Sequence, residues 1–89
     1  MTKAELVAAI AAKAGITKKS AEKALNAMTD TIQATLHRGE RVALVGFGTF
    51  TVAQRAERLG RNPRSGETVK IPARKVPVFH PGKELKDAI

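Results

Sequence analysis

Two spacings of apolar residues divide the chain. Between Thr2 and Gly39 apolar positions return every three or four residues, the interval that gathers side chains on one face of a helix. Leu6, Val7, Ile10 and Ala14 form the first stripe. It opens with Thr2-Lys3-Ala4-Glu5, a capping box in which the Thr2 hydroxyl accepts from the third helical N–H and Glu5 reaches back to the Thr2 amide. Gly15 ends this helix, and Thr17 caps a second. The second stripe, Ala21, Ala24, Leu25, Met28, Ile32 and Leu36, keeps helical period until Gly39. The pattern predicts a helical hairpin over residues 2–39.

After Gly39 the period falls to two. Val42, Leu44 and the run from Phe47 to Val52 are strand formers, with Gly46-Phe47-Gly48 as a tight turn between two strands. The second strand continues through Gln54, Arg55 and Arg58 to Leu59 and loses its apolar character midway. Asn62-Pro63-Arg64-Ser65-Gly66 carries turn chemistry, and Thr68 to Phe79 returns as a third strand. Pro72 and Pro77 would each remove a ladder donor from a central strand, but in a two-stranded ribbon every strand is an edge. Sheet and ribbon therefore occupy 41–79, with an arm over about 53–75 projecting beyond the sheet. Pro81-Gly82 introduces a closing helix over 83–89, in which Leu85 and Ile89 share a face. The fold class is α+β, a single domain over 1–89: helical hairpin base, three-stranded antiparallel sheet, long β-ribbon arm and short C-terminal helix.

Length makes this body thin. A chain of 89 residues hides only about 60 to 65% of the surface its unfolded form exposes. With no cysteine, neither a disulfide framework nor a cysteine-ligated zinc site can reinforce it, so a dimer is expected. The amino terminus carries Glu5 and no sustained apolar run, which argues against a signal peptide or a spanning helix and for a cytoplasmic protein.

Charge then narrows the partner. Sixteen Lys and Arg against eight Asp and Glu give a net charge of +8, which favours polyanions, nucleic acid first, through released counterions. A membrane surface would need an amphipathic basic helix, and the cations concentrate elsewhere. Arg55, Arg58, Arg61, Arg64, Lys70, Arg74 and Lys75 crowd the arm against Glu57 and Glu67, which places five of the eight excess charges there. Lys18, Lys19 and Lys23 form a solvated face behind the Thr17 cap, Lys18 being a candidate for contacts on a longer site.

The arm tip is the candidate chemistry. Proline has no N–H to satisfy and a stiff apolar edge, so Pro63 can wedge between base steps while Arg61, Asn62 and Arg64 take minor-groove acceptors and sugar-phosphate. A Pro and a Gly in a polar turn are also ordinary loop punctuation, but a loop lifted on some twenty basic residues calls for a task. Phe47, Phe50 and Phe79 are the only aromatics, and they sit at strand ends amid Val, Leu and Gly. Core packing suits them better than base stacking. His37 and His80 are surface residues without a triad spacing, and the chain offers no paired acids, metal cluster or cofactor motif. It is not expected to be an enzyme.

Gly46-Phe47-Gly48-Thr49-Phe50, Arg61-Asn62-Pro63-x-x-Gly66-Glu67, and Pro72-Ala73-x-Lys75-x-Pro77-x-Phe79 followed by Gly82-Lys83-x-Leu85-Lys86 closely resemble the bacterial histone-like HU family, sibling of integration host factor. The match covers the whole chain. The two families are themselves named examples of minor-groove architectural binders, so the wedge is their mechanism as well as a reading of these residues. The resemblance implies an intertwined dimer, homodimeric or paired with a paralogue, with one arm per subunit around duplex DNA. On matching positions Arg55, Arg58, Arg61, Asn62, Pro63, Lys70, Arg74 and Lys75 would line the minor groove, and Lys3, Lys83 and Lys86 would approach phosphates along the body. Leu36, Leu44, Phe47, Phe50 and Phe79 would fill the dimer core. Ser65 replaces the usual threonine, and Pro81-Gly82 is similar to integration host factor. The expected role is nucleoid organisation by non-sequence-specific bending, with bent, nicked or gapped DNA preferred. A sequence-preferring factor similar to integration host factor, or a basic module gripping RNA or an acidic protein, are the alternatives.

Overall fold

The computed structural model describes all 89 residues, which fall into two compact units, Met1–Ala34 and Thr35–Ile89. In the first, helix α1 (Lys3–Ala14) begins where Thr2 Oγ1 accepts the Glu5 N–H at 3.2 Å. The reciprocal half of the capping box is altered: the Glu5 carboxylate accepts from the Thr2 hydroxyl at 3.4 Å instead of from the Thr2 amide. Helix α2 (Lys18–His37) begins in the same way, with Thr17 Oγ1 accepting the Ser20 N–H at 3.1 Å. Each cap satisfies one of the donors that a helix start leaves over, worth about 1 kcal/mol.

Val7, Ala11 and Ala21 are the buried apolar residues, with Ile10 and Leu25 packed against them. Ala11 thus takes the place foreseen for Ala14, because it stands one turn after Val7 on the same side of α1. Ala21 is 0% exposed, the most fully covered of the three. The rest of the apolar stripes is only partly covered: Leu6, Ala24 and Met28 are exposed, and Ile32 and Leu36 are half-buried.

The second unit holds strands β1 (Val42–Leu44), β2 (Gly48–Arg55), β3 (Arg58–Arg61), β4 (Thr68–Ile71) and β5 (Arg74–Pro81), followed by helix α3 (Lys83–Asp87). β1, β2 and β5 form an antiparallel sheet in that order, and β3 pairs with β4. The two long strands expected over 48–59 and 68–79 are therefore each interrupted, at residues 56–57 and 72–73. Pro72 lacks the donor that would continue the ladder there. Both strands skip the same number of residues, so the register is kept. Phe50 faces Phe79, Arg55 faces Arg74, Arg58 faces Ile71 and Arg61 faces Thr68 along one hairpin.

Three boundaries differ from expectation. The tight turn is Val45-Gly46-Phe47, closed by Phe47 N–H to Leu44 carbonyl at 2.9 Å, and Gly48 already belongs to β2. β5 runs on to Pro81, where its residues still find ladder partners in β2. α3 stops at Asp87, and Ile89, 98% exposed, does not share a covered face with Leu85. The Gly82 N–H before α3 is tied to the Phe47 carbonyl at 2.8 Å.

Phe79 stacks obliquely on both other rings, with centroids 4.8 Å from Phe50 and 5.5 Å from Phe47. Gly48 makes room for it: a Cβ at that position would stand 2.5 Å from Phe79 Cζ and 2.7 Å from the His80 carbonyl oxygen. Backbone and a packed ring cannot both yield cheaply. Gly48→Ala is expected to lower unfolding free energy by about 1–3 kcal/mol, read from the urea midpoint at fixed protein concentration. An unchanged midpoint would contradict this close approach.

Candidate nucleic-acid interface

Alternation along a strand decides which cations lie together, since residues directly opposite in an antiparallel pair share a face. In the three-stranded sheet, Arg55 and Arg74 are direct partners, on the face that also carries Ala53 with Val76, Thr51 with Val78, and Thr49 with His80. Like charges placed directly across a ladder repel, so this pairing has a net attraction for an anion. Both arginines line an open cleft of about 700 Å³ with Ala56, Glu57 and Arg58 at the gap between the two sheets. Lys75 lies on the other face, opposite Gln54, beside Pro77 with Val52 and Phe79 with Phe50.

Beyond the gap the ribbon has two unlike faces. One pairs Arg58 with Ile71 and Gly60 with Val69; Ile71 Cδ1 lies where a side chain on Gly60 would begin. The other pairs Leu59 with Lys70 and Arg61 with Thr68. Leu59 is 73% exposed, in keeping with a ribbon that has nothing beneath it to bury against. Lys70 is not free: its Nζ lies 3.2 Å from Glu57 Oε1, a contact from the gap to the returning strand. Both side chains are largely exposed, so this pair adds about 0–1 kcal/mol at most.

At the tip, the Asn62 N–H donates to the Glu67 carbonyl and the Gly66 N–H to the Asn62 carbonyl, each at 2.8 Å. Gly66 has φ +72°, the left-handed conformation that lets the loop close at little cost. The Asn62 Oδ1 accepts the Arg64 N–H at 2.9 Å across Pro63, and Ser65 Oγ accepts the Glu67 N–H at 3.3 Å. Pro63, Arg64, Ser65 and Gly66 are exposed, whereas Asn62 is half-buried.

The structure thus brings Arg55, Arg58 and Arg74 to one cleft and strings Arg61, Arg64 and Lys70 along the ribbon and its tip. Lys83 and Lys86 are exposed on α3, and Lys3 is exposed at the start of α1 in the helical unit. Phe47 and Phe79 are 46% and 36% exposed, and Leu36, Leu44 and Phe50 are half-buried, so none of the foreseen core residues is fully covered by its own chain. Sequence reasoning missed one participant: Glu57 as the partner of Lys70 follows from register across the gap, which no local pattern reveals. His80, at a position where the family resemblance suggests a phosphate contact, lies on the Arg55 and Arg74 face by strand alternation. No group of acidic, His or Cys side chains could hold a metal ion, and no helix is long and apolar enough to cross a membrane.

A two-stranded basic ribbon mounted on a small antiparallel sheet, with two helices before and one after, defines a class of protein that the whole chain matches. Residues 1–89 fit the family model for bacterial DNA-binding proteins, and the chain belongs to that family, whose members are architectural proteins and not enzymes. It is 53% identical over 89 residues to DNA-binding protein HU of Geobacillus stearothermophilus, covering all of this chain and 99% of that one. It is 54% identical to DNA-binding protein HU-beta of Neisseria meningitidis serogroup A, each covered in full. Among solved structures, an Anabaena HU–DNA cocrystal matches with a TM-score of 0.95 at 45% identity, over 99% of this chain and 96% of that one. HU from Thermotoga maritima matches with a TM-score of 0.72 at 35% identity, over 99% and 97%.

Proposed function

We propose that this chain is a dimeric architectural protein that grips duplex DNA in the minor groove with its basic ribbons, bends it by inserting Pro63, and helps compact bacterial chromosomal DNA. The observation that carries this reading is the single register from Phe50 and Phe79 out to Arg61 and Thr68, which delivers an exposed proline at the end of a cationic ribbon. Anabaena HU, a protein of nearly the same backbone, is known in a cocrystal with DNA, which supports duplex DNA as the ligand. Chromosomal DNA as ligand implies the cytoplasm and the nucleoid.

The roles divide by position. Arg55, Arg58 and Arg74 supply the anion-seeking cleft, Lys75 stands beside it on the other face, and Arg61, Asn62, Arg64 and Lys70 serve the outer ribbon. Lys3, Lys83 and Lys86 extend phosphate contact along the body. Cations on phosphates carry no sequence information, and the minor groove offers a nearly degenerate pattern of acceptors. Preference then follows deformability, so bent, nicked or gapped duplex is favoured, since unstacking costs on the order of a few kcal/mol per base step.

The second protomer is a copy of this chain. Leu6, Met28, Phe47 and Phe79 all lie at least 36% exposed, too much apolar surface for a small chain with three buried apolar residues. An equivalent chain bringing the same stripes would cover them, with Leu36, Leu44 and Phe50 completing the shared core.

Three outcomes test this. Pro63→Ala should bind with similar affinity but bend less, read as end-to-end energy transfer on a labelled nicked duplex; an unchanged distance removes intercalation. Affinity should fall steeply with salt, and Glu57→Gln, which frees Lys70, should steepen the slope of log K against log[salt] by about one. A flat plot removes counterion release as the driver. Sedimentation at micromolar concentration should show a dimer, and a lone monomer would refute the shared core.

A further inference from the structure

We infer that Asn62 is a positioning residue, whose side chain caps the tip so that Pro63 enters the base stack without carrying an unsatisfied donor. This rests on the wedge reading above and refines it. Sequence reasoning assigned Asn62 to the DNA surface, yet it is half-buried where its neighbours from Arg61 to Lys70 are all exposed. Its Oδ1 is already engaged, accepting the Arg64 N–H at 2.9 Å.

The chemistry of insertion gives this bond its purpose. A base stack is apolar and excludes water, and burying an N–H there without a partner is costly. Proline has no N–H, so the first backbone donor after the wedge is that of Arg64. Asn62 takes that donor from the other side of the ring, in a turn that brackets Pro63 and that its side chain alone can make. Of the three remaining loop bonds, Asn62 N–H to the Glu67 carbonyl and Gly66 N–H to the Asn62 carbonyl are backbone bonds that any residue but proline at 62 could form, and Glu67 N–H to Ser65 Oγ does not involve residue 62. Removing the side chain therefore leaves the loop closed but its apex with a free donor. With that donor presented to the stack, the bend is expected to be lost.

The test compares the full-length parent with Asn62→Ala, Asn62→Ser and Pro63→Ala. In the free protein, amide hydrogen exchange at Arg64 should speed up in Asn62→Ala and recover in Asn62→Ser, whose hydroxyl can accept the same N–H more weakly. On a nicked duplex saturated with protein, Asn62→Ala should lose most of the bend. Asn62→Ser should regain part of it. Parent-like bending by Asn62→Ala overturns the inference, as does a lost bend with Arg64 exchange unchanged or with no recovery in Asn62→Ser, since either marks a direct DNA contact. Parent-like bending by Pro63→Ala is a separate result: it removes the wedge itself, and the role of Asn62 with it.

Discussion

The molecule depends on one antiparallel ladder keeping its register across a break. β2 and β5 pair within a three-stranded sheet, the ladder lapses for two residues on each side at Pro72, and β3 and β4 resume as though it had not. Equal gaps matter because strand faces alternate with a period of two. A gap uneven by one residue would slip β3 against β4 and move Arg61 from the face it shares with Lys70 to that of Ile71. The break also separates two environments: an inner ladder with phenylalanines on one face, and an outer ribbon without a third strand.

Charge follows the same division. Repulsion between Arg55 and Arg74 is tolerated at the gap, where solvent screens it and an anion can relieve it. Lys70 is instead held in reserve by Glu57 through a contact too exposed to contribute much stability. Any phosphate that takes Lys70 displaces a weak competitor. The tip solves a different problem, since its polar backbone must close on itself before an apolar ring can be presented. Asn62, Ser65 and Gly66 do so with hydrogen bonds made within the loop.

The small core is the other side of this economy. Val7, Ala11 and Ala21 are the apolar side chains that the helical unit buries, and alanines bury little apolar area. The larger residues of both stripes and the phenylalanine cluster stay partly open in one chain. In the proposed homodimer stability and ligand grip are joined, because a body completed by a second copy would carry two ribbons where a self-sufficient monomer would carry one.

Local chemistry was legible in the sequence. Thr2, Thr17 and the change of period near Gly39 set the helix starts and the passage to strands, and Asn62-Pro63 with Gly66 marked the tip, because caps and turns depend on a few adjacent residues. The basic arm was visible as an excess of charge for the same reason. Adjacent residues could not show where the strands break, that β5 reaches Pro81, that Glu57 meets Lys70, or that Asn62 pairs with Glu67 across the tip. Each of these is decided by what stands across the ladder, and pairing brings together residues that are distant along the chain. Sequence by itself determined which segments are helix, strand and tip; the tertiary structure decided which cations share a face and which side chains are already occupied, since only register sets opposite neighbours.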